Sequence, residues 1–161
     1  MNFIPYGRQD ISQGDIDAVV DVLRSDFLTQ GPAVERFERV IADYCRVSCV
    51  TAVNSATSAL HIACLALDIG PKDTVWTSPI TFVASANCAL YCGAKVDFVD
   101  IDFETNNMSV RALELKLENA RKANALPSAV IPVHMGGLSC DMQAIFELSR
   151  EYGFKIIEDA S

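Results

Sequence analysis

Apolar residues recur at helical spacing near the start of the chain. Ile16, Val19, Val20 and Leu23 share one helix face, and Ser12 and Asp15 stand ahead of them as start signals. Phe37, Val40, Ile41 and Tyr44 repeat the pattern after Gly31-Pro32, a pair suited to opening a helix. Between them, Phe27-Leu28-Thr29-Gln30-Gly31-Pro32 reads as a loop. From Ser48 the rhythm changes to short apolar runs alternating with helical patterns. Strands are expected at 48–53, 74–78, 95–100, 129–133 and 155–158. The intervening helices carry Leu60, Ala63, Cys64 and Leu67 (ending at Gly70), residues 81–92 (closed by Gly93), Val110, Leu113 and Leu117, and residues 141–152 (closed by Gly153). Such alternation predicts an α/β fold, a mostly parallel sheet with flanking helices. The last strand has no helix after it, so residues 1–161 are expected to be the first part of a larger domain.

Composition narrows the function classes. A chain of 161 residues, 50% hydrophobic, is long enough for one packed core. Its net charge of −8 and the lack of any basic run exclude a general nucleic-acid binder, which needs positive charge to displace counterions. The N-terminus lacks the pattern of a secretory signal, and the apolar runs are too short and interrupted to span a bilayer. A soluble, cytoplasmic protein is the expectation. Cys45/Cys49 and Cys88/Cys92 are each four apart, but no CxxC or nearby His completes a metal site. No metal is expected, and the six cysteines read as small core residues.

In open α/β sheets, ligands bind at the carboxyl ends of the strands. After 48–53 comes Asn54-Ser55-Ala56-Thr57-Ser58, either a phosphate cup at a helix N-terminus or an ordinary N-cap. After 74–78 comes Phe82, either a flat wall for a planar ring or a core residue. After 129–133 comes His134-Met135-Gly136-Gly137, a tight loop near a ligand or a hydrogen-bonded structural histidine. After the last strand comes Asp159, a partner for a protonated ring nitrogen or the N-cap of a following helix. The convergence of all four on one sheet edge favours a ligand site there.

The runs 54–61, 78–85, 131–137 and 157–161, with 4–8 and 28–32, resemble the DegT/DnrJ/EryC1/StrS family along the whole chain. The resemblance implies a fold-type I pyridoxal 5'-phosphate enzyme that aminates keto-sugar nucleotides. The reaction it points to takes the amino group of glutamate to C4 of a UDP-4-keto-6-deoxy-N-acetyl-hexosamine, in pseudaminic acid biosynthesis. By the same resemblance, Ser55 and the amides of Ala56 and Thr57 would hold the cofactor phosphate, Phe82 would stack on the ring, and Asp159 would pair with the ring nitrogen. His134 would lie near the cofactor, and Tyr6 and the loop around Thr29 near the substrate. The family builds its active site at a homodimer interface.

One departure stands out. The family's Schiff-base lysine lies beyond its last motif seen here. Of Lys72, Lys95, Lys116, Lys122 and Lys155, only Lys155 is near Asp159, at the opposite end of a short strand. Four residues of strand span about 13 Å. No residue of this chain is therefore expected to be catalytic by itself, and the chain alone is expected to be inactive. Relatives that are sugar dehydratases, with His for that lysine, are a second reading. A non-catalytic binder of a phosphate ligand is a third. A Rossmann nucleotide domain is disfavoured by the lack of GxGxxG.

Overall fold

A computed structural model describes residues 7–161; the site expectation at Tyr6 lies outside the described residues. The chain divides into two compact units, one ending at Ala52 and the other running from Val53 to Ser161.

The first unit contains α1 (Gln13–Arg24) and α2 (Pro32–Cys45). Ser12 caps α1 in a reciprocal box: its amide donates to Asp15 Oδ2 at 2.8 Å and its Oγ accepts from the Asp15 amide at 3.3 Å. Donation to Oδ2 from the Ser12 amide first, and from the Ser12 hydroxyl at 2.8 Å second, holds the Asp15 carboxyl below its usual range. Pro32 opens α2 behind Gly31, and Arg46 closes it in the left-handed region at φ 56°. Thr29 sits exposed in the bend between the helices.

The expected strand at 48–53 is not formed; the segment is irregular. A strand persists only where its backbone groups find a ladder. Here the Ala52 amide instead donates to the Glu38 carboxylate of α2 at 2.8 Å.

The second unit is a parallel sheet of four strands in the order β2-β1-β3-β4: β1 (Thr74–Thr77), β2 (Lys95–Phe98), β3 (Ala129–Ile131) and β4 (Lys155–Ile156). Its helices are α3 (Ala56–Ala66), α4 (Ala84–Tyr91), α5 (Val110–Lys122) and α6 (Met142–Tyr152). Helix α4 begins at Ala84 rather than at residue 81, and α3 ends at Ala66, with Asp68 rather than Gly70 in the left-handed conformation at φ 56°. Gly93 does close its turn: it lies at φ 77°, and a Cβ there would sit 3.2 Å from Pro71 Cγ. Gly153 caps α6 at φ 83°.

Alternation along the strands loads two cores. Val75, Ala129, Ile131 and Ile157 pack with Leu60, Cys64, Ala84 and Cys88 of α3 and α4 on one face. Trp76 and Val130 pack with Leu113, Leu117, Ile145 and Phe154 on the other, where α5 and α6 lie. Burial on both faces explains why β3 reads as an unbroken apolar run and why β1 sets Val75 and Trp76 side by side. Cys64, Cys88 and Cys140 are buried, as core cysteines should be, whereas Cys45 and Cys49 are exposed, which corrects the core reading for that pair. Among the described residues no helix is long and apolar enough to cross a membrane.

Asp73, just before β1, accepts from the Ser128 hydroxyl, just before β3, and from the Gly70 amide at 2.8 Å. Donation from Ser128 first and Gly70 second holds its carboxyl below the ordinary value of 3.8. A carboxyl depressed on folding adds stability above its unfolded value and loses it as pH falls through the folded one. Ser128→Ala should therefore destabilise the chain at pH 7, and the gap from wild type should shrink as the pH drops below about 4. Urea midpoints measured across that range test this; a gap independent of pH contradicts it.

Candidate functional site

Helices α3 and α4 each lead through a short loop into the amino end of the next strand, so their N-terminal turns lie toward the carboxyl edge of the sheet. At α3, Ser55 takes the N-cap position and its Oγ accepts from the Ser58 amide at 3.2 Å. Ser58 Oγ donates in turn to Asn54 Oδ1 at 2.7 Å. The amides of Ala56 and Thr57 precede the first intrahelical donor, Ala59 N–H, and among the described residues no side chain caps them. Ser55 is thus an N-cap, and the turn it sets leaves the Ala56 and Thr57 N–H groups without a side-chain acceptor among the described residues.

Phe82 precedes α4 and is 73% exposed, so it is not a core residue. Its carbonyl accepts from the Ser85 amide at 3.2 Å. Asp159 is 5% exposed and continues the line of β4, bridged in parallel to Val133 of the neighbouring strand line. Its Oδ2 accepts from Ser85 Oγ at 2.7 Å. Its Oδ1 accepts from the Ser161 amide at 3.2 Å and the Ser161 hydroxyl at 2.7 Å. A carboxylate offers about four lone-pair positions. One of those on Oδ2 is left for a further donor. Ser85, 1% exposed, thus joins Asp159 to the segment that presents Phe82.

His134 belongs to the same loop system but turns to the other side of the sheet. Its Nδ1 accepts from the Cys140 amide at 3.2 Å, which leaves the ring proton on Nε2, 3.0 Å from Glu158 Oε1. Glu158 and Asp159 are successive positions on an extended strand and point to opposite faces. The side chain of His134 is therefore committed to Glu158, while its amide donates to the Asp159 carbonyl at 3.0 Å. The Gly136-Gly137 turn, both residues at positive φ, is clamped by Asn107: Met135 N–H donates to Asn107 Oδ1 and Asn107 Nδ2 donates to Leu138 O, each at 2.9 Å. Lys155 stands exposed at the far end of β4, paired with Ala129.

Two residues of this site are not marked as such by the sequence, although Ser85 closes the run 78–85. Ser85 sits one helical turn after Thr81, a spacing that hints at a hydroxyl pair, but its partner Asp159 is 74 residues away. Asn107 is buried at 4% and reaches across 28 residues to the loop, with no local pattern to announce it.

The arrangement fits pyridoxal phosphate: open amides for its phosphate, an exposed aromatic for its ring, and a buried carboxylate with one free lone pair for its ring nitrogen.

Comparison with known proteins agrees. The pattern of the DegT/DnrJ/EryC1/StrS aminotransferase family, a pyridoxal-phosphate-dependent family, matches residues 9–161. The chain is 42% identical over 158 residues to the UDP-4-amino-4,6-dideoxy-N-acetyl-beta-L-altrosamine transaminase of Campylobacter jejuni, covering 98% of this chain and 41% of that protein. Among solved structures, a DegT DnrJ EryC1 StrS aminotransferase from Brucella abortus superposes with a TM-score of 0.85 at 34% identity, covering 90% of this chain and 39% of that one. The PLP-form of the putative sugar aminotransferase Spr1654 from Streptococcus pneumoniae does so with a TM-score of 0.80 at 32% identity, covering 98% and 38%. The chain spans about two fifths of the length of the curated relatives it matches. With the family pattern matched over residues 9–161 and the fold shared with its solved members, the chain belongs to the DegT/DnrJ/EryC1/StrS aminotransferase family.

Proposed function

We propose that this chain forms the first part of the cofactor-binding domain of a homodimeric nucleotide-sugar aminotransferase. In this reading glutamate supplies the amino group and C4 of a UDP-4-keto-6-deoxy-N-acetyl-hexosamine receives it, a step of pseudaminic acid biosynthesis. The observation that carries the reading is Asp159: a nearly buried carboxylate, held on both oxygens, with one lone pair to spare. Burying such a group without a partner cation is costly, and a protonated ring nitrogen is the partner that the family's cofactor brings. When bound, pyridoxal phosphate supplies an electron sink for breaking and making bonds at the amino-bearing carbon.

The residues of the chain bind and orient. Ser55 shapes the first turn of α3 so that the Ala56 and Thr57 amides face a phosphate, where the positive end of the helix dipole adds to the attraction. Phe82 would offer its ring face to the cofactor, and Asp159 Oδ2 would accept from the ring N–H. His134 holds the loop beside Asp159 through its amide, while its ring bridges Glu158 and the Cys140 amide. Tyr6 and Thr29 are assigned to the substrate side by the family resemblance. The attachment lysine and further substrate contacts belong to the remaining three fifths of the relatives' length.

The test uses a protein of the relatives' full length that carries this segment. Incubated with 15N-labelled glutamate and the UDP-4-keto sugar, it should place the label on the sugar, read by mass spectrometry of the nucleotide sugar. Label that stays in glutamate, or a sugar that loses water instead, sinks the proposal.

A further inference from the structure

The hydroxyls of Thr81 and Ser85 form a directed chain into Asp159. Thr81 Oγ1 and Ser85 Oγ lie 2.7 Å apart, and Ser85 Oγ lies 2.7 Å from Asp159 Oδ2. Ser85 has a single hydroxyl proton, and an ionised carboxylate only accepts. The Ser85 proton therefore points at Asp159, and the Thr81 proton must point at Ser85. Each donor polarises the next toward the carboxylate. The Phe82 carbonyl, 3.2 Å from Ser85 Oγ, competes for the same proton at a longer distance and is served by the Ser85 amide.

We propose that Ser85, backed by Thr81, is a positioning residue for the cofactor ring. It touches neither ring nor substrate. It fixes the orientation of Oδ2, the oxygen that keeps the free lone pair, and through its amide it fixes the backbone that presents Phe82. One residue thereby sets both the height of the ring, through Phe82, and the direction of the bond to its nitrogen, through Asp159. Burial makes this rigid: Ser85 is 1% exposed, so no water stands in for its hydroxyl. The neighbouring cysteines add to the seal, since Cys88 Sγ donates to the Ser85 carbonyl at 3.4 Å from within the core. The inference rests on the assigned role of Asp159.

The experiment measures binding of pyridoxamine phosphate, which needs no attachment lysine, and of the analogue whose ring nitrogen is replaced by C–H. Wild type, Ser85→Ala, Ser85→Thr, Thr81→Val and Asp159→Asn are compared in the full-length protein by fluorescence titration. Wild type should prefer the pyridine, and Asp159→Asn should lose that preference. Ser85→Ala should cut the preference roughly tenfold, the scale of one hydrogen bond to a charged group, and Ser85→Thr should restore it. Thr81→Val should fall between Ser85→Ala and wild type. A Ser85→Ala variant that binds both ligands more weakly by the same factor, or neither more weakly, overturns the inference while loss in Asp159→Asn upholds the role of Asp159. A wild type without preference for the pyridine overturns both.

Discussion

Leu113→Ala should lower the unfolding free energy by about 2–5 kcal/mol, whereas Leu115→Ala on the same helix should change it by less than about 0.5 kcal/mol. The two leucines are two positions apart on α5, which places them on opposite sides of the helix. Leu113 is fully buried in the core beneath Trp76, Val130 and Ile145, while Leu115 is 51% exposed. Truncating Leu113 removes apolar contact and leaves a cavity that the sheet above it cannot collapse to fill. A native domain has only about 5–15 kcal/mol of net stability, so the loss is a large fraction of the whole. Urea denaturation reads it as a lower midpoint at an unchanged slope. Equal midpoints for the two variants would mean that α5 does not bury the face described here.

Asp159→Ala should separate ligand binding from folding. Binding of pyridoxamine phosphate should weaken about 10- to 100-fold, the worth of a hydrogen bond between charged partners. Stability should fall by only about 1–2 kcal/mol. The reason is the fate of each donor. The Ser161 groups are exposed and turn to water. Ser85 Oγ is buried but has the Phe82 carbonyl at 3.2 Å to donate to. The ring nitrogen has no substitute acceptor. Phe82→Ala serves as the companion: at 73% exposure it should leave the urea midpoint near wild type and still weaken binding. If Asp159→Ala unfolded the chain outright, the carboxylate would be holding the fold rather than the ligand.

Much of the fold was legible because it rests on local pattern. The helices follow apolar spacing and cap residues within one or two turns, and Ser12, Ser109 and Asp141 cap where hydroxyl or carboxylate precedes a helical run. The buried strand β3 announces itself as a continuous apolar run, and β1 as the β-branched and aromatic run Thr74-Val75-Trp76-Thr77. Segment 48–53 has the same look and no ladder: strand composition states a preference, and only a neighbouring backbone satisfies it. Gly70 failed as a helix stop because Asp68 took the left-handed turn first. At the site, Asp159 was visible from its place after a strand, and the start of α3 from its small hydroxyl residues although the strand expected before it does not form; Phe82 was separated from the core only by its exposure. The turn of His134 toward Glu158 was hidden, since it depends on which face of the strand end receives the ring. Ser85 and Asn107 were hidden for a stronger reason. Their partners lie 74 and 28 residues away, beyond the reach of any periodicity.

The long reach of the Ser85–Asp159 bond also sets an order of events during synthesis. The carboxylate leaves the ribosome 74 residues after the hydroxyl, a delay of about 4–15 s at ordinary elongation rates. Strands β1 and β2 and helices α3 and α4 emerge first, while β3 is needed to bring β4 alongside. Strand β4 contributes only two ladder residues, so little local structure pulls it into place early. Closing so long a loop costs entropy that is regained only when the last strand docks. The pocket for the ring nitrogen should form only after β1, β2 and β3 have emerged, and cofactor capture should therefore follow, rather than guide, the pairing of these strands.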